Sequence, residues 1–451
     1  MQPWIKDYKT ALHLSTPLMA AMLAQMGMEL VNTLMIGRLG QEALAAGVLA
    51  MAVFVLVFIF FIGLQSASGV LIARFYGARN DEEIKNTLTQ AIYLACFLSP
   101  PAIILLCYLP EVLIKIGEDP AIVALTAQYF YAVIWGIPAI ALFFALRDFV
   151  SALSYTRVVF WLSLLNIPLA AFFNYLLIFG HGGFSRMGMT GLGYSTAIVE
   201  WICTFGLIGY IFSHKSLSVY LKFSSIPRFC WPRFKEILLL GWPVSINMGF
   251  EWGMFSVTTL LMGHFGVLPL AAHQIALQLA AMAFMLPLGI SQGTAILVGQ
   301  SMGAKNLMQA KRFVWVNLGL GLTLAGLTAI LFSSCSQFII RWFIDIHHPK
   351  NIALVAVAST YLKVMALFQL LDAVQVIMTG ALRGLKDTFV PMMLGLVSYW
   401  LIGLVSGYYL VFILGWNGIG LWWGLGIGIG VSAFILWVRF LFRIKQEVAR
   451  K

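Results

Sequence analysis

Charge is the scarcest resource in this sequence. Only 10% of the 451 residues are Asp, Glu, Lys or Arg, against about 25% in a soluble domain. A soluble protein of that make-up has too little polar surface to face water, so a soluble fold is excluded. Cysteine is also sparse. The five residues Cys96, Cys107, Cys203, Cys230 and Cys335 show no paired spacing, and neither a disulfide framework nor a zinc site follows. No G-x-x-x-x-G-K-[ST] phosphate loop occurs, so no ATP site of that kind is encoded. The H-E-x-x-H pattern is missing too, which weighs against an enzyme. Short alternating runs, the mark of a membrane barrel, are absent.

What is present is apolar. Hydrophobic residues make up 61% of the chain and mean hydropathy is +0.92. The apolar runs reach the ~20 residues that a helix needs to cross a bilayer, and backbone satisfaction leaves helices as the spanning element. The first run is too long for a signal peptide and carries Gln25, Glu29 and Asn32, so it reads as a retained helix. Twelve spans follow: 11–36, 45–73, 90–110, 120–150, 156–180, 190–213, 236–262, 270–300, 313–334, 352–382, 388–413 and 418–441.

The chain also repeats itself. Residues 31–80 return without a gap at 257–306, with 15 of 50 positions identical at a constant offset of 226. The register extends back to Pro17/Pro243, Gly27/Gly253 and Met28/Met254. The expected organisation is a six-helix lobe at 1–213, a basic loop at 214–235 and a second six-helix lobe at 236–451. Six is even, so both copies enter the membrane in one direction. The expected fold is therefore an all-α membrane protein whose lobes are related by a pseudo-two-fold axis along the membrane normal. Tandem membrane repeats of this kind point to a transporter.

The net charge of +11 invites a nucleic-acid reading, and its placement argues against one. With the N-terminus inside, 22 basic residues fall on the inner side and 5 on the outer, with Lys363 inside a span. That bias places both termini in the cytoplasm. The charge then serves orientation, and no nucleic-acid partner is expected.

A carboxylate at bilayer depth costs about 2.5–3.5 kcal/mol on insertion scales, which makes it a functional candidate by default. Arg147 and Asp148 lie near a span end and read most simply as a local ion pair. Glu200, in STAIVEWICTF, is open between a structural and a functional role. Glu251, in PVSINMGFEWGMFS, and Asp372, in ALFQLLDAVQVIMTGALRG, both sit mid-span in the second half. Two such carboxylates cannot both stay ionised and dry. The pair can hold a proton or a monovalent cation, which is how an ion gradient couples to a conformational change. The alternative is a structural bond to a neighbouring helix. Pro17 and Pro243 occupy matching places in spans one and seven, where proline removes a backbone bond and kinks the helix. Paired interruptions mark binding regions in transporters, and plain packing kinks are the other reading. Methionine, 20 residues in all, suits either a promiscuous cavity or ordinary gap filling. The spacings Gly420/Gly424 and Gly426/Gly430 read as close helix packing. The pair His347-His348, near Asp345, reads as a solvated loop before it reads as a metal site.

Three stretches carry a resemblance: PLAAHQIALQLAAMAFMLPLGISQGTAILVGQSMGAKN (269–306), LDAVQVIMTGALRGLKD (371–387) and GLGYSTAIVEW (191–201). With them nearly the whole chain resembles the multidrug and toxic compound extrusion (MATE) family, in its NorM branch. The resemblance implies an antiporter that expels cationic drugs in exchange for sodium ions or protons. It needs no cofactor beyond that coupling ion and works in a lipid bilayer, here a bacterial inner membrane, with a monomer as the default state. The resemblance assigns cation coupling to Glu251, Asp372 and Gln274, and places Asn174 in the first-lobe cavity. Two positions depart from the pattern. The first-span motif, usually V-D-T in the family, reads Val31-Asn32-Thr33, and an asparagine cannot cycle a proton. Glu29 lies at i−3 on a nearby face and is the candidate substitute. The family's tyrosine four residues before the aspartate is Phe368 here, which removes a hydroxyl. A lipid-linked flippase is the rival reading. Flippases of that kind line their cavities with basic residues, and here only Lys363 lies deep in a span.

Overall fold

The computed structural model describes residues 2–221, 228–346 and 348–449. Among them twelve long helices occur and no strand. They are α1 (Gln2–Gly37), α2 (Gln41–Gly77), α3 (Asp81–Ile116), α4 (Pro120–Ala152), α5 (Thr156–Phe179) and α6 (Met189–Ser213). The second half supplies α7 (Trp231–Gly263), α8 (Val267–Gly303), α9 (Leu307–Ser334), α10 (Ile352–Gly384), α11 (Phe389–Phe412) and α12 (Asn417–Ala449). Each expected span coincides with one of these helices. Eleven are both long and apolar enough to cross a membrane. The twelfth, α7, is 33 residues long, but Asn247, Glu251 and several glycines and hydroxyls lower the hydropathy of its middle. The chain is a multi-pass integral membrane protein.

The repeat extends to the backbone. Gly40 and Gly266 precede α2 and α8 with φ of 118° and 94°, a region that glycine enters without steric cost. Arg79 and Lys305 close the same two helices with φ of 55° and 56°. The next residues, Asn80 and Asn306, cap α3 and α9 by accepting from the Glu83 and Gln309 amides at 3.2 and 3.1 Å. Asparagine at this position satisfies an orphan N–H of the first turn. Asp81, Glu82 and Glu83 then complement the α3 dipole.

Packing divides the chain into two compact units, Ala20–Ser245 and Met1–Met19 with Ile246–Lys451. The boundaries fall inside α1 and α7, each two residues beyond the paired prolines Pro17 and Pro243. Both helices continue through their proline. Within Ala20–Ser245, the start of α7 packs on α2, where a Cβ added to Gly63 would lie 2.5 Å from Ser245 Cα. Within the other unit, the start of α1 packs on α8, where a Cβ on Gly289 would lie 2.6 Å from Met19 Cα. Each starting segment is also held by ions. Arg233 pairs with Glu83 and Glu236 in one unit, and Asp7 pairs with Arg312 at 2.6 Å in the other.

The unit Ala20–Ser245 buries Phe61, Phe130, Phe144, Ile140 and Leu192 from α2, α4 and α6. Its α4 is broken by a 3₁₀ turn at Ile134–Gly136, just before Pro138 restarts the helix. The other unit is built around α10 and α12, whose Tyr361, Met365 and Trp422 lie at the centre of its core. The α12 glycines let two neighbours in: Gly424 and Gly428 meet the backbone of Gly407 and Gly403 on α11, while Gly426 and Gly430 face Phe368 and Leu371 on α10. The middle of α11 widens into a π-helical turn at Val397–Leu404.

Candidate functional site

Glu251 and Asp372 sit in the same unit, on α7 and α10, within electrostatic reach of each other. Asp372 is buried and Glu251 half-buried. Among the described residues neither carboxylate takes a hydrogen bond or an ion pair from the protein. The contrast with other acids of this unit is sharp. Asp7 pairs with Arg312, and Asp387 with Arg439 and Arg443 at 2.9 and 3.1 Å. A buried carboxylate is normally compensated by such a partner.

The surroundings are rich in acceptors. Asn247, one turn before Glu251, has an Oδ1 without a partner. Gln369 and Gln375, each three residues from Asp372, have unpartnered Oε1 atoms. All three residues are buried. Tyr399 is fully buried, lies in the field of both carboxylates and accepts a hydrogen bond from Gln375 Nε2 at 2.5 Å. The π turn brings Tyr399 and Trp400 to α7. Trp400 Nε1 donates to the Phe250 carbonyl at 3.2 Å, and its ring fills the space a Cβ on Gly253 would need. Gly395 lies so close to Asn247 that a Cβ there would stand 2.1 Å from Oδ1. The donor set of two carboxylates, amide oxygens and hydroxyls suits a proton or a hard monovalent cation.

Gln274, assigned by resemblance, is exposed on α8 and makes no hydrogen bond to either carboxylate. Its neighbour His273 is fully buried. His273 Nε2 lies 2.9 Å from Thr259 Oγ1, and the ring meets Trp422 edge-on at 5.3 Å. Phe368 stacks on the same Trp422 at 5.8 Å. The hydroxyl that Phe368 lacks has a counterpart in Tyr399, from a different helix. Sequence reasoning missed Tyr399, Asn247 and Gln375. The last two had a signal, since they lie one helical turn from Glu251 and Asp372.

The first-half candidates form a different arrangement. Asn174 is fully buried and its Nδ2 donates to Asn32 Oδ1 at 2.7 Å. The Asn174 Oδ1 has no partner. Glu29 sits one turn before Asn32 with its residue surface exposed. It acts electrostatically on the buried Tyr129, as does Glu200, which lies against Asn166. Pro17 and Pro243 each stand two residues before a unit boundary. His347 lies outside the described residues; His348 is exposed, and its Nδ1 accepts from the Lys350 amide at 3.3 Å.

The MatE family model matches residues 17–176 and 243–409, two segments that begin 226 residues apart. The chain is 35% identical over 448 residues to the "Probable multidrug resistance protein NorM" of Agrobacterium fabrum, covering 99% of this chain and 96% of that one. It is 36% identical over 444 residues to the protein of the same name from Pseudomonas putida, covering 98% and 96%. The fold matches a solved structure titled "Outward-facing conformation of a multidrug resistance MATE family transporter of the MOP superfamily", with a TM-score of 0.89 at 18% identity and coverage of 98% and 96%. It also matches the eukaryotic MATE transporter AtDTX14, with a TM-score of 0.85 at 19% identity, covering 99% of both chains. With both halves matched and identity sustained from end to end, the chain belongs to the MatE family.

Proposed function

We propose that this chain is a multidrug efflux antiporter that exports lipophilic organic cations in exchange for a monovalent cation. Family membership and relatives named as multidrug resistance proteins support the transport class. The observation that carries the coupling is the unpartnered pair Glu251 and Asp372, set among orphaned oxygens in one lobe. An entering cation compensates the two carboxylates and draws α7 and α10 together with the Tyr399 turn of α11. That repacking weakens the hold on the drug. The coupling equals the ion's differential affinity for the two states and no more. The resemblance to NorM proteins makes sodium the expected coupling ion, with a proton as the alternative. The inner-side excess of basic residues supports cytoplasmic termini in a bacterial inner membrane.

In the first lobe, Glu29 takes the place of the acid missing at Asn32 and bears on transport through Tyr129. No further cofactor is required. The deciding experiment is efflux of a fluorescent cation from vesicles carrying the purified chain, driven by a sodium gradient or a pH gradient alone. Efflux under sodium alone is the expected result. Efflux in neither case refutes antiport.

A further inference from the structure

The outer surface of α3 carries an apolar groove of about 740 Å³, lined by Cys96, Phe97, Pro100, Pro101, Ile104 and Leu105. These residues recur at helical spacing and form one stripe. The tandem prolines Pro100 and Pro101 lie at its middle. They remove the N–H groups that would bond the Cys96 and Phe97 carbonyls, and their compact rings leave a low wall between larger side chains. No charged side chain enters the lining.

One end of the groove meets a cluster of aromatic rings. Phe97 packs edge-on to Phe234 at 6.1 Å, Phe234 stacks on Trp231 at 5.9 Å, and Tyr93 meets Phe229 at 5.9 Å. Phe97, Phe229 and Trp231 are more than half exposed, although they sit in a ring cluster that could have buried them. Aromatic side chains held open in this way are typical of the level where acyl chains meet headgroups. The cluster is fixed in place, because the Gln90 side chain donates to the Arg228 carbonyl at 3.3 Å and accepts from the Cys230 amide at 3.1 Å.

Charge completes the arrangement. Arg233 is engaged by Glu83 and Glu236. Arg228 and Lys235 are exposed, and among the described residues neither side chain has a partner. Lys235 lies one turn after Trp231, on the same face of α7. An apolar trough, an open aromatic rim and two free cations follow one another along the surface of a single compact unit.

We propose that this surface is a binding site for one anionic phospholipid. An acyl chain lies in the proline groove, the glycerol region lies against Trp231 and Phe229, and the phosphate faces Arg228 and Lys235. The occupant is a lipid because the groove is apolar and faces away from the unit's core. It is anionic because the headgroup end carries unpaired positive charge.

The test uses the intact purified chain and phospholipids brominated on the acyl chain. Trp231 quenching is read as the difference between the protein and Trp231→Phe. Brominated phosphatidylglycerol is expected to quench this component at least threefold more than brominated phosphatidylcholine at equal mole fraction. The double variant R228Q/K235Q is expected to bring phosphatidylglycerol down to the phosphatidylcholine level. Ile104→Trp, which fills the groove, is expected to remove one tightly held lipid in native mass spectrometry. Equal quenching by the two lipids overturns the proposal, as does an unchanged lipid count in Ile104→Trp. A native mass of two chains joined through α3 with no retained lipid also overturns it, in favour of a second copy as the occupant.

Discussion

At the place in α7 that carries Glu251, the matching place in α1 carries Gln25. The two helices share a proline, a glycine and a methionine at equivalent positions, and their neighbours share asparagine caps and positive-φ turn residues. The chemistry is nevertheless unequal. One lobe holds two carboxylates without protein partners among orphaned acceptors. The other holds an amide pair, Asn32–Asn174, joined by one hydrogen bond of 2.7 Å. A duplicated backbone supplies equivalent positions, and separate side-chain choices fill them with different chemistry.

The largest effect is expected where that inequality is greatest. Asp372→Asn should reduce gradient-driven efflux in vesicles to the rate of protein-free controls while membrane insertion and chromatographic behaviour stay normal. Glu251→Gln should do the same. Efflux above half the unaltered rate in either variant breaks the contrast between the lobes. The first-lobe counterpart is Glu29→Gln, which should slow efflux by about twofold to tenfold and leave coupling intact. A loss as deep as that of Asp372→Asn would make the two lobes functional equals.

The same contrast marks what the sequence discloses. The twelve spans are legible because apolar runs of bilayer length have no other stable home. Even the weakest of them, α7, is weak for an informative reason: Asn247 and Glu251 dilute it. Glu251 and Asp372 stand out as isolated acids in apolar runs. Tyr399 does not, because a tyrosine in such a run is ordinary, and a π turn shifts the helical face so that α-periodicity misassigns it. Gln274 carries an assignment by its place beside a histidine, yet successive residues on a helix point in different directions, and here the histidine is buried while the glutamine is exposed. The division of α1 and α7 between packing units is silent in the sequence, since both helices run unbroken through residues 19 and 245.

Two smaller perturbations test how far the lobes match as scaffolds. Gly63→Val and Gly289→Val each drive a side chain into the backbone of Ser245 or Met19. Each should destabilise by about 1–3 kcal/mol, as overpacked sites do. Similar shifts in thermal unfolding are expected for the two variants, and a shift in only one would limit the equivalence to its own lobe. Tyr399→Phe removes the acceptor of the Gln375 amide, a loss of about 1 kcal/mol by the usual net value of a hydrogen bond. It should raise the ion concentration for half-maximal efflux several-fold without lowering the maximal rate comparably.

The smallest expected effect concerns the ion pairs that hold the starting segments of α1 and α7. Asp7 and Arg233 are equivalent by the repeat, and they carry opposite charge. Their partners, Arg312 and Glu83, are opposite too, so each segment is tied by the same kind of contact with the signs exchanged. If the contact matters only as an ion pair, the sign can be exchanged again. Asp7→Arg should destabilise the fold, because it sets two guanidinium groups against each other at a position where Asp7 is only 4% exposed. Adding Arg312→Glu should restore most of that loss and reproduce on α1 the polarity that α7 already uses. Failure of the double variant to recover would mean that the fit of Asp7 in its buried setting, and not its charge, fastens α1.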